Sequence, residues 1–102
     1  MARLIVKVTD KAWYPSTGET VPNATAPILS TGVFIDGENP VVVGQLWTNH
    51  STFPNEHSRA VAVKTKTDSK VFINNLELLG VGDNISCTKV LDILTVGTVY
   101  IP

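Results

Sequence analysis

The sequence predicts a small all-β domain built from short repeated strand units, and three observations carry that reading. Val, Ile and Thr together supply 33 of the 102 residues, and β-branched side chains favour strands over helices. No window shows the 3.6-residue apolar stripe of an amphipathic helix. Short motifs recur at fixed offsets. At 102 residues the chain is the size of one domain, residues 1–102, with a core of ordinary extent.

The repeats come in two kinds. Val33-Phe34-Ile35-Asp36-Gly37 recurs as Val71-Phe72-Ile73-Asn74-Asn75, and a shortened copy is Val99-Tyr100-Ile101-Pro102. Val43-Gly44-Gln45 follows 10 residues after Val33, and Val81-Gly82-Asp83 follows 10 after Val71. Val8-Thr9-Asp10 is a third copy of that second element. The order is half a unit, two whole units and the other half, which predicts a pseudo-threefold body closed by its own ends.

Asp36-Gly37 and Asn74-Asn75 tolerate the positive φ of two-residue hairpin turns. The first turn is expected to pair Val33–Ile35 with Val41–Val43, and the second to be followed by a strand over Leu76–Leu79. Leu4 to Val8 alternates, with Leu4, Val6 and Val8 on one face and Lys7 on the other, and Arg59–Thr65 reads similarly. Trp13 to Pro27 holds three prolines and a glycine and is expected to be a loop.

Charge and composition exclude several functions. Net charge is −1, and no basic run exceeds Lys64-Thr65-Lys66, so nucleic acid is not an expected partner. No span of about 20 apolar residues exists for a transmembrane helix. The start lacks the apolar stretch of a signal peptide, so synthesis in the cytoplasm is expected. Cys87 is the single cysteine, which rules out an intrachain disulfide.

Ser69-Lys70-Val71-Phe72-Ile73-Asn74-Asn75, followed by Val81-Gly82-Asp83-Asn84-Ile85-Ser86-Cys87, resembles the strand units of the PAAR family. Thr95-Val96-Gly97-Thr98-Val99-Tyr100-Ile101 is similar to that family's closing strand. The resemblance runs from about Thr31 to the end, with an echo at Ile5 to Asp10. The Pro-Ala-Ala-Arg tetrapeptide that names the family is absent: Asn39-Pro40-Val41-Val42 and Glu77-Leu78-Leu79-Gly80 stand there instead. Gln45 also replaces an aspartate and Asn75 a glycine.

The resemblance implies a cone-shaped β domain whose base sits on the trimeric β-helical spike of a phage tail or type VI secretion system. One such tip would cap one trimer, sharpen it and meet the target cell membrane transiently, with no small-molecule substrate. Pseudo-threefold repeats suit a single chain that must match a threefold partner.

His50 and His57 share one polar segment, and repeat position places His50 and Cys87 at equivalent corners. Imidazole and thiolate together suit Zn²⁺. The resemblance implies a zinc site near the vertex, with His50, His57 and Cys87 as its ligands and one ion per chain. The fourth ligand is open between water, Asp10, Tyr14 and Glu56. The plainer alternative is two surface histidines and a packed cysteine. Two other functions compete: a stand-alone metal-binding β module, and a hydrolase using Cys87 as nucleophile. For the latter, no orienting third group or oxyanion motif stands out, and a non-enzyme is expected. Trp13, Tyr14, Trp47 and Phe53 follow the repeat elements and are expected to anchor core or loops, with partner contact the functional alternative.

Overall fold

The computed structural model describes residues 3–14, 18–48, 50–52, 55–57, 60–67, 71–86, 89–93 and 99–101. Strands account for all regular structure among them, and none forms a helix. Accordingly, no helix among the described residues is long and apolar enough to cross a membrane.

Three short segments, 4–8, 39–43 and 77–81, form the centre, and each pairs with both of the others. The bridges are Lys7 with Pro40, Val42 with Leu78, and Gly80 with Ile5. The Val41 amide donates to the Val6 carbonyl at 2.8 Å, Leu79 to Val41 at 3.0 Å, and Val6 back to Leu79 at 3.4 Å. A second circuit runs from Val8 to Asn39, Val43 to Glu77 and Val81 to Leu4, at 3.0, 2.9 and 2.9 Å. Val6, Val41 and Leu79 are fully buried at the heart of this ring. Water cannot satisfy their peptide groups, so the cyclic hydrogen bonds must do so.

The expected pairing of Val33–Ile35 with Val41–Val43 is therefore corrected. That hairpin ends after Ile35 opposite Glu38, and Val41–Val43 pair with the other two central segments. Proline explains the break. Pro40 has no N–H, and the Asn39 side-chain amide donates to the Val33 carbonyl in its place, at 2.9 Å. The alternation over Leu4 to Val8 holds, with Val6 and Val8 in the main core and Ile5 in the second cluster, and both faces are covered, so that Ile5, Val6 and Lys7 are all buried.

A tight turn leaves each central segment. Asp10 N donates to Lys7 O, Gln45 N to Val42 O and Asp83 N to Gly80 O, at 2.9, 3.2 and 3.1 Å. Gly44 and Gly82 hold φ of 94° and 100° there, where a Cβ would be strained. Gly80 is required for another reason: a Cβ would lie 2.8 Å from the Leu4 carbonyl and 2.9 Å from Ile101 Cδ1.

Each turn feeds an antiparallel arm. Strands β2 (Lys11–Tyr14) and β3 (Glu19–Pro22) form the first; β4 (Leu46–Trp47) and β7 (Ala60–Val63) the second; β10 (Asn84–Ile85) and β11 (Val90–Asp92) the third. β5 (His50–Thr52) and β6 (Asn55–His57) form a hairpin between β4 and β7. The arms join in one six-stranded sheet, β3-β2-β11-β10-β7-β4. It curls until Ala24, just past β3, bridges Trp47 of β4. The loop reading of Trp13 to Pro27 is corrected at Trp13, Tyr14 and Glu19–Pro22, while residues 23–27 lie outside the strands: β2 and β3 are four-residue strands in register, Lys11 opposite Pro22 and Tyr14 opposite Glu19. Pro22 fits because it ends an outer strand.

Inside the curl, Val6, Val41 and Leu79 pack with Ala12, Ile85, Leu91 and Trp47. Trp47 is 1% exposed and its Nε1 donates to Val21 O at 3.1 Å. Ala60, its cross-strand partner, and Ala62 are small enough to admit the indole. β7 buries Ala60 and Ala62 and leaves Val61 and Val63 half-buried, the expected alternation.

The last pairs are β8 (Phe72–Ile73) with β9 (Leu76–Glu77), and β1 (Arg3–Leu4) with β12 (Tyr100–Ile101). The positive φ angles at Asp36, Gly37, Asn74 and Asn75 are those of the expected two-residue turns. Ile5, Leu78 and Ile101 form a second apolar cluster, with Ile35 and Ile73 against it.

Candidate functional site

Two regions carry chemistry outside the core. The first holds the expected metal ligands. His50 opens β5, His57 closes β6, and their Cα atoms are direct partners across the antiparallel pair. Such partners lie about 4.5–5.5 Å apart between their Cα atoms. Cys87 and Phe53 lie outside the described residues. Cys87 belongs to the connection between β10 and β11, across which Ile85 N donates to Lys89 O at 2.9 Å.

That connection adjoins the arm bearing the histidine hairpin, since β10 pairs with β7. Ser86 N donates to Val61 O at 2.9 Å, and Val61 N to Ser86 Oγ at 3.2 Å. Among the described residues, no three side chains of metal-binding type gather. Asp10 is spent elsewhere: it is 1% exposed and its Oδ2 accepts from Lys7 N at 2.8 Å. Trp13 and Tyr14 are half-buried on β2, with the Lys11 ammonium 4.9 Å from the Trp13 ring.

The second region is apolar. The large hydrophobics exposed among the described residues are Phe34, Val71, Phe72, Val99 and Tyr100. All five belong to the three copies of one motif. Phe34, Phe72 and Tyr100 are 66%, 60% and 53% exposed. Each immediately precedes an isoleucine of the second apolar cluster, Ile35, Ile73 or Ile101, and as the strand neighbour of that inward residue it turns to solvent. Leaving a Phe in water forgoes about 1.5–3 kcal/mol of burial. The three exposed aromatics stand at matching positions of the repeated motif. Trp13, Tyr14, Trp47 and Phe53 are expected from the sequence to anchor core or loops, as Trp47 does, and the exposed three are not among them. The signal was present as an aromatic at the second place of every Val-aromatic-Ile copy.

Asp83 links the turns to the rest. Its side chain is fully buried, and Oδ1 accepts from Thr65 N and Lys66 N at 3.0 and 2.9 Å. Oδ2 accepts from Gly80 N at 3.0 Å and Arg3 Nη1 at 3.1 Å, with Lys64 Nζ 3.9 Å away. Gln45, its counterpart, instead accepts from Leu29 N at 2.9 Å and donates to the carbonyls of Thr25 and Pro27 at 2.8 and 3.0 Å. The buried polar groups of these turns are therefore structural.

No protein-family model matches the chain, and searches of curated proteins and of solved structures found no match either.

Removing the Asp83 carboxylate takes the acceptor from the Gly80, Thr65 and Lys66 amides and one partner from Arg3, which keeps Val81 O. Asp83→Ala is expected to cost about 3–5 kcal/mol in urea denaturation, whereas a loss below about 1 kcal/mol, the scale of an exposed pair, would show that the cluster is not structural.

Proposed function

We propose that this chain is a non-catalytic tip domain that caps a trimeric β-helical spike of a phage tail or type VI secretion machine. The carrying observation is that its exposed large hydrophobics all fall in three copies of one motif whose isoleucines share one apolar cluster. A monomer that repeats one contact three times suits a partner with three identical subunits. The cyclic pairing of segments 4–8, 39–43 and 77–81 supports a pseudo-threefold axis through Val6, Val41 and Leu79. In this reading the Val-aromatic-Ile strands form the base of a cone and the arms taper to its vertex. The tip assembles with the spike and pierces the target membrane as a rigid point. A non-catalytic role is supported by the buried acids: Asp10 and Asp83 are both held in turn hydrogen bonds.

A zinc ion at the vertex, held by His50, His57 and Cys87, completes the proposal. The cross-strand register of the histidines and the adjacency of β7 and β10 support it. Zinc would tie two arms together where few residues are available for an apolar core. The histidine register also favours a second reading, a metal-binding β module with no spike. Docking separates the two.

Mixed with a trimeric spike from the same genome, the chain is expected to form a complex of one copy per three spike chains by native mass spectrometry. Phe34→Ala, Phe72→Ala and Tyr100→Ala combined should abolish that complex and leave the β-sheet circular dichroism unchanged, because all three side chains are exposed. A 3:3 complex, or undiminished binding by the triple variant, would overturn the docking face.

Protein purified without added metal or chelator should carry about one equivalent of zinc by elemental analysis, and Cys87→Ser should lower both metal retention and Tm. Less than about a tenth of an equivalent of any transition metal would remove the zinc site.

A further inference from the structure

The three Val-aromatic-Ile strands share one main-chain register. Ile35 and Glu38 exchange both hydrogen bonds, at 2.7 and 3.1 Å. Leu78 N donates to Val71 O at 2.9 Å, and Ile5 N to Val99 O at 3.0 Å. In an antiparallel pair such bonded residues alternate with residues whose peptide groups point away from the partner strand. Phe34, Phe72 and Tyr100 occupy those alternate places, next to Ile35, Val71 and Val99. Across the pairs, Glu77 faces Phe72 and Leu4 faces Tyr100, while Asn39 follows Glu38. Those three residues send their carbonyls the other way, accepting from Val43 N, Val81 N and Val8 N. The N–H and C=O of each aromatic therefore lie on the outer edge of its strand.

β8 pairs only with β9, and β12 only with β1, so their outer edges are open among the described strands. Edge strands are commonly blunted by charge or proline. Val33–Ile35, Val71–Ile73 and Val99–Ile101 contain neither.

We propose that these three edges are main-chain docking points, each extended by one strand of a threefold partner. The proposal rests on the docking reading above and adds its chemistry, which is backbone recognition. Each edge offers one N–H and one C=O on a single residue, a pattern that one residue of an added extended strand completes. One chain repeats this offer three times, so the matching occupant brings the same strand three times. A lone peptide would fill one edge and leave two like it unused.

Full-length protein N-methylated at residues 34, 72 and 100 tests this, because the methyl group removes the outward donor and keeps the aromatic side chain. Without a partner, this protein should melt within about 2 °C of the unmodified chain, since no internal hydrogen bond is lost. N-methylation at Ile35, whose N–H donates to Glu38 O, should instead lower Tm by at least about 4 °C. A comparable loss from the three outer positions would show that their N–H groups point inward, and would overturn the edges. Binding to the trimeric spike should weaken at least about tenfold on triple methylation. Undiminished binding of the methylated protein overturns strand addition and leaves side-chain docking standing. If the unmodified protein does not bind the spike, the docking reading falls and strand addition falls with it.

Discussion

Everything in this fold depends on a closed circuit of main-chain hydrogen bonds. Val6, Val41 and Leu79 each donate to one neighbour and accept from the other. All three are shut away from water, so no segment can leave without orphaning peptide groups on both of the others. A circuit of three leaves no free edge at the centre, the arrangement by which β structures avoid pairing with other chains. Several strands beside the circuit are only two residues long.

Short strands bury little by themselves, and the turns that leave the circuit compensate with buried polar anchors. Asp10 and Asp83 fold back on Lys7 N and Gly80 N, three residues earlier. Gln45 occupies the third such place with a longer side chain and an amide that both donates and accepts. It therefore reaches outward to Thr25, Pro27 and Leu29. Gln45 thus has its own use, which is to fasten the segment between the first and second arms. Trp47 has a related role. One large indole fills the curled sheet, and Ala60 and Ala62 on the neighbouring strand leave it room.

Much of this was legible in the sequence, wherever chemistry is local. Asp36-Gly37 and Asn74-Asn75 announced their turns through backbone tolerance, and the spacing of Val-Gly-Gln and Val-Gly-Asp announced the recurring corners. The errors arose where partners are distant. Val41–Val43 was assigned to its neighbour in sequence, but its partners are the Val6 and Leu78 segments, which no local rule names. The prolines between Trp13 and Pro27 outweighed the Lys11–Tyr14 strand, although Pro22 merely ends an outer strand. Of the candidate metal ligands, the pairing of His50 with His57 follows from register, which residue types alone do not fix.

The central claim is that the circuit acts as one unit rather than as three separate strand contacts. Amide exchange of Val6, Val41 and Leu79 followed against urea tests it most directly. The account predicts that the three amides merge on a single isotherm with the slope and free energy of global unfolding. Three distinct isotherms, or one of these amides exchanging through a shallow local opening, would contradict it.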